Sequence, residues 1–137
     1  MQEEQHTPCE NPLWPCAMTG AVACLSGFED IAVVVHGSSG CYFYPASLVG
    51  GVPIHGTFLV ENEVIFGTES RLAEVIRELV GRYARIAVVN TCVPAIMGED
   101  IGDLAGDGQI LVVDSPRVPR RPRGRLPPCA RYDRAGG

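Results

Sequence analysis

Apolar residues fall into two recurring patterns along this 137-residue chain, and each predicts a different element. Unbroken β-branched runs, IAVVVH from Ile31 and RIAVVNTC from Arg85, have the pattern of strands covered on both faces, as in a parallel sheet, and QILVVD from Gln109 reads as a further strand. Leu72, Val75, Ile76, Leu79 and Val80 recur at three- and four-residue spacing, which predicts an amphipathic helix over TESRLAEVIRELVGRY with Thr68 as its cap. PCAMTGAVACLSG, from Pro15 to Gly27, begins on a proline suited to a first helical turn and ends on a glycine suited to a stop. A buried helix with Cys16 at its start and Cys24 in its core face is expected there. TFLVENEVIFG reads as a short strand and an acidic loop, and VPAIMGEDIGDLAG as a further helix. Strands alternating with helices predict an α/β fold: a three-layer, Rossmann-like domain with a mainly parallel sheet.

This layout gives meaning to the stretch AVVVHGSSGCYFYP, from Ala32 to Pro45, which places Cys41 in a glycine turn just beyond a strand. Ligand sites of open α/β sheets collect beyond the carboxyl ends of the strands. Cys41 and Cys92 each follow such an end, and Cys16 at a helix start can reach the same edge. The three resemble ligands drawn from distant loops onto one sheet edge, and thiolates are the usual ligands of iron-sulfur clusters. Gly37 and Gly40 would let the backbone lie close to a bulky inorganic group. Spacing alone also fits ordinary small core residues.

Other residues carry weaker signals. His36 reads as packing against or bonding the loop rather than binding metal. Tyr42, Phe43 and Tyr44 would either shield a cluster from water or simply pack. Glu61 and Glu63 form an acidic loop. HGSSG could cradle a phosphate, but no lysine follows as in a P-loop.

Composition narrows the class. Six cysteines could form a disulfide framework, but the long strand and helix patterns favour reduced thiols. No apolar run approaches the roughly 20 residues of a membrane span, and the start of the chain is acidic and polar, so a cytoplasmic, non-membrane protein is expected. The net charge of −5 conceals a break: residues 1–114 hold fifteen acids against four arginines, whereas 115–137 hold seven arginines and one acid.

PCAMTGAVACLSGFEDIAVVVHGSSGCYFY, ENEVIFG and VVNTCVPAIMGEDI, in that order, resemble the successive signature segments of the nitrogenase component 1 family. That family includes the molybdenum-iron protein subunits, their cofactor-assembly homologues, the protochlorophyllide and chlorin reductases, and the nickel-tetrapyrrole reductive cyclase. The resemblance implies that residues 15–114 are the first domain of a component 1-type subunit. It also implies that Cys16, Cys41 and Cys92 ligate an iron-sulfur cluster, [4Fe-4S] or larger, at an interface with a homologous subunit. Gly37, Gly40 and Glu61 would lie beside it, with Glu61 near the partner. An ATP-dependent iron-sulfur reductase would deliver electrons that the cluster relays to a substrate. The alternatives are a metallocluster-assembly scaffold or an inactive truncated remnant. Cys9, in the lead-in 1–14, is an extra ligand or an idle thiol.

After Pro116 the resemblance stops, and an Arg/Pro-rich tail (115–137) follows that is expected to be disordered. One choice of codons for Arg117–Pro127, read one base later, yields Gly-Phe-Pro-Gly-Asp-Leu-Glu-Ala-Gly-Tyr, which resembles the family's continuation. A frameshift near Pro116 is therefore expected, which would make Cys129 accidental. A nucleic-acid role for the tail is not expected, since its arginines lack patterned aromatics.

Overall fold

The β-branched runs at Ile31 and Arg85 become the two central strands, and the run at Ile110 an edge strand, of a four-stranded, fully parallel sheet in the computed structural model, which describes residues 16–50 and 52–115. The strands are β1 (Ile31–His36), β2 (Ile54–Gly56), β3 (Arg85–Asn90) and β4 (Ile110–Asp114), in the order β2-β1-β3-β4. Around them lie α1 (Ala17–Leu25), α2 (Ser39–Leu48), α3 (Glu61–Phe66), α4 (Glu69–Val80) and α5 (Cys92–Met97), with a 3-10 turn over Gly102–Asp107.

The period-two alternation of a strand divides the core into two halves. Val33, Val35, Ala87 and Val89 face α1 through Met18, Ala21, Val22 and Leu25. Ala32, Val34, Ile86 and Val88 face the opposite way onto Leu72, Ile76 and Leu79 of α4. Each fully buried valine, leucine or isoleucine among them stabilises the fold by about 1.5–3 kcal/mol relative to exposure. The three layers are therefore helix, sheet, helix, as the sequence predicts.

Several sequence expectations need correction. The strand expected in TFLV lies three residues earlier, at Ile54–Gly56, where it pairs Val33 with Ile54 and Val35 with Gly56. The acidic ENE segment is the helix α3, whose Glu63 side chain accepts a hydrogen bond from the Val60 amide at 3.0 Å. The helix expected over VPAIMGEDIGDLAG is broken after Met97, because Gly98 takes a left-handed φ of 77° that ends α5. Cys24, expected in the core, is exposed on α1. The lead-in, with Cys9, and the tail beyond Ser115, with Cys129, lie outside the described residues.

Chain connectivity is what positions the site. From β1 the chain turns through α2 outward to β2; from β3 it turns through α5 the other way, to β4. The strand order thus reverses between β1 and β3. In open α/β sheets such a switch point opens a crevice beyond the carboxyl ends of the two strands.

Candidate functional site

Two of the cysteines singled out in the sequence, Cys41 and Cys92, follow the strands that flank this switch point. β1 and β3 run in register, with His36 opposite Asn90, so their loops leave the sheet side by side. Cys41 lies in the first turn of α2, one strand-end away from Cys92, the first residue of α5. Cys16 is the N-cap of α1. Since α1 leads into the start of β1, its own start lies at the opposite, carboxyl edge of the sheet. Cys16 and Cys41 pack against the same half of the core. All three cysteines are part-buried.

Cys41 is thus on a helix rather than in a glycine turn. GSSG has the composition of a turn, yet Ser38 takes an extended conformation (φ −71°, ψ 164°) as the N-cap and the chain coils immediately after it. The Ser38 hydroxyl lies 3.7 Å from Cys41 Sγ and donates to it. Pro45, inside α2, offers no N–H to the Cys41 carbonyl four residues back. Cys16 Sγ lies 3.6 Å from Thr19 Oγ1.

The two glycines differ. Gly40 has open space where a β-carbon would stand, whereas a β-carbon on Gly37 would meet Thr91 Oγ1 at 2.1 Å. Gly37 is therefore explained by contact within the protein. Its amide donates to Thr57 Oγ1 (3.0 Å) and its carbonyl accepts from the Leu59 amide (2.9 Å). On the other side, Thr91 donates its hydroxyl to the His36 carbonyl at 2.8 Å. Glu61 begins α3 and is exposed.

His36 is fully buried and bonds the loops, as expected. Its Nδ1 lies 3.1 Å from Thr57 Oγ1 and its Nε2 lies 2.9 Å from Thr68 Oγ1. Thr68 caps α4 by position, but its hydroxyl serves His36 and Glu99 instead of an α4 amide. Its backbone amide donates to Glu99 Oε1 at 2.8 Å. Burial lowers the His36 pKa to about 4, despite the opposing pull of Glu99, so the ring is neutral. The sequence reading marked Thr68 only as a helix cap and missed Thr57, Thr91 and Glu99, which no local pattern marks.

Tyr42, Phe43 and Phe58 form an edge-to-face aromatic group beside the site, with Tyr42 and Phe58 centroids 4.7 Å apart. Phe43, Ile65, Phe66 and Ile96 are exposed on α2, α3 and α5; Phe66 is 81% exposed and Ile65 71%. No three His, Cys, Asp or Glu side chains among the described residues are grouped to share one metal ion. No helix among them is long and apolar enough to cross a membrane.

This arrangement has known counterparts. Residues 16–109 match the family described as nitrogenase component 1 type oxidoreductase. The chain belongs to the nitrogenase component 1 family. It is 35% identical over 98 residues to the nitrogenase molybdenum-iron protein beta chain of Frankia alni, covering 66% of this chain and 19% of that one. It is 40% identical over 96 residues to the nitrogenase iron-molybdenum cofactor biosynthesis protein NifE of Rippkaea orientalis, covering 63% and 20%. It is 29% identical over 109 residues to CfbD of the Ni-sirohydrochlorin a,c-diamide reductive cyclase complex of Methanocaldococcus jannaschii, covering 72% and 31%. Among solved structures, nitrogenase Cp1 at pH 6.5 superposes with a TM-score of 0.57 at 24% identity, over 72% of this chain and 23% of that one, which supports the fold. The chain spans about a fifth of the length of its beta-chain and NifE relatives. The segment matched to the nitrogenase component 1 family begins at Cys16 and contains Cys41, Cys92 and the whole His36 network.

Proposed function

We propose that this chain is the cluster-bearing domain of a nitrogenase-like component 1 subunit, with Cys16, Cys41 and Cys92 as thiolate ligands of an iron-sulfur cluster. The observation that carries the reading is the switch point: two loops, each leading to a part-buried cysteine, leave adjacent parallel strands, and a third cysteine starts α1 at the same edge. The donor set fits such a group. Soft thiolates suit iron and sulfide, and a polynuclear cluster bonds different thiolates to different irons, so its ligands need not be grouped tightly enough to share one ion. When bound, the cluster supplies one-electron storage between a reductase donor and a substrate.

The protein's own residues define the setting. The start of α2 and of α1 presents backbone amides and the positive end of the helix dipole toward an anionic group. Gly40, with open space at its Cα, allows the α2 backbone to approach closely. Tyr42 and Phe43 would cover one side of the cluster once a partner packs on them. The fourth ligand, and the cover for Ile65, Phe66 and Ile96, would come from a homologous subunit, with an ATP-dependent iron-sulfur reductase as electron donor and the cytoplasm as the compartment. Glu61, exposed at the start of α3, would face that partner. The 40% identity to a cofactor biosynthesis protein favours one second reading, a scaffold on which a metallocluster is assembled and handed on.

Anaerobic reconstitution with iron and sulfide, followed by visible and EPR spectra, tests the site. We expect a stable cluster, near one per dimer, that is lost in Cys16→Ala, Cys41→Ala and Cys92→Ala but kept in Cys24→Ala. Absence of iron uptake by the unsubstituted chain, or equal loading of the Cys41→Ala variant, would overturn the reading. Transfer of the loaded cluster to an acceptor protein without turnover would favour the scaffold.

A further inference from the structure

We infer that His36 is a positioning residue: it locks the turn leading to Cys41 and the turn leading to Cys92 into one unit by a directional chain of hydrogen bonds that ends on Glu99. This rests on the reading of the two cysteines as ligands, and concerns what holds them in place.

The chain of donors has only one consistent polarity. Glu99, as a carboxylate, accepts only, so the Thr68 hydroxyl donates to Oε2 and the Thr68 amide to Oε1. Thr68 Oγ1 has then spent its proton and accepts from His36 Nε2–H at 2.9 Å. A neutral ring protonated at Nε2 leaves Nδ1 as an acceptor, and the Thr57 hydroxyl donates to it at 3.1 Å. Thr57 Oγ1 in turn accepts from the Gly37 amide at 3.0 Å. Every polar atom in the sequence Gly37, Thr57, His36, Thr68, Glu99 is paired in the right sense. Such chains strengthen each member and specify one arrangement of the backbone.

What the chain connects gives it its role. Gly37 is the last residue before the N-cap of α2, and its carbonyl and amide are both held by the β2–α3 loop. Glu99 directly follows Gly98, the C-cap of α5, and is held by the start of α4. At the other end of α5, Thr91 donates both its amide (3.3 Å) and its hydroxyl (2.8 Å) to the His36 carbonyl. α5 is therefore tied to His36 at both of its ends: through the main chain at Thr91, next to Cys92, and through the imidazole and Thr68 at Glu99. One residue thus fixes where both cysteine-bearing helices start.

His36→Leu removes a buried ring and risks the fold, so Thr68→Val carries the test: it keeps the shape, removes the hydroxyl link to His36 and Glu99, and leaves the Thr68 amide contact. Hydrogen exchange is measured by mass spectrometry on the whole chain, and reconstituted samples are read by EPR. In Thr68→Val we expect exchange about tenfold faster in residues 38–42 and 91–95, against a change under about threefold at the centres of β1 and β3. Shifted or broadened EPR features accompany it, and Thr68→Ser restores both. Unchanged exchange, or acceleration spread equally over the sheet, would overturn the inference whatever the cluster does. Failure of the unsubstituted chain to take up iron would instead sink the reading of the cysteines as ligands, with the exchange result still deciding the role of His36.

Discussion

Gly37 and Thr91 touch so closely that a β-carbon on Gly37 would stand 2.1 Å from the threonine hydroxyl oxygen. They are the residues immediately after β1 and β3, so their contact sets how near the two loops at the switch point approach each other. Gly37→Ala is expected to cost about 3 kcal/mol, since backbone and a hydrogen-bonded hydroxyl must both give. Thr91→Ala should recover part of that loss in the double variant, because it removes the nearest atom but leaves Cβ at 3.1 Å. Additive losses in a denaturant-unfolding cycle would show the contact to be unimportant.

Gly40→Ala separates folding from cluster binding. The position is helical and open, so alanine should raise the stability of the metal-free chain by about 0.5–1 kcal/mol through lower unfolded-state entropy. The same substitution should reduce cluster yield on reconstitution. Full yield would mean that no cluster lies against that backbone.

Stability should fall on acidification. The unfolded His36 titrates near the usual 6.5, whereas burial lowers the folded value to about 4. Between these values the unfolded state binds the extra proton, so stability is complete above pH 6.5 and declines as pH drops to 4, by about 3 kcal/mol in all. His55, lowered chiefly by burial and also by Arg82, acts in the same direction. Urea midpoints from pH 7.5 to 4.5 check this, and a flat profile in His36→Gln relative to the unsubstituted chain would assign the effect. In the neutral range, nitrogen chemical shifts should report the Nε2–H tautomer.

His55 presents a separate case. Its Nε2 is buried without a partner among the described residues, while its ring packs on Tyr83 at a centroid distance of 5.8 Å. It lines a cavity of about 250 Å³ with Tyr42, Phe58, Arg71 and Glu74. Phenylalanine keeps the ring contact and removes the unpartnered nitrogen, so His55→Phe should raise the thermal midpoint, corresponding to about 1 kcal/mol. A lower midpoint would show that Nε2 is satisfied by water.

Ile65→Asp and Phe66→Asp should leave monomer stability within about 0.5 kcal/mol, because both side chains are already exposed. If α3 meets a homologous subunit, the pair should weaken association by at least about tenfold in sedimentation experiments. Unaltered association would place the partner elsewhere.

Much of the framework follows from the chain alone. The β-branched runs at Ile31 and Arg85 become parallel strands buried on both faces, the run at Ile110 becomes an edge strand with Leu111 half-exposed, and the stripe from Leu72 to Leu79 becomes the buried face of α4. These are local patterns: each side chain's partition between water and core depends on its own spacing along the element. That Cys41 and Cys92 follow strand ends is equally local. Tertiary structure alone decided that the strand order reverses between β1 and β3, that α2 starts where a glycine turn was expected, and that Cys24 faces solvent. It also decided the partners of His36, which lie 21, 32 and 55 residues away at Thr57, Thr68 and Thr91. Local pattern marks Thr68 as a helix cap and nothing more, and threonine is compatible with strand and loop alike, so no local preference points any of the three at His36. Only the closing of the parallel sheet brings the Thr57 and Thr68 hydroxyls to one buried ring and the Thr91 hydroxyl to the carbonyl of the same residue, where burial makes an unpaired polar group costly.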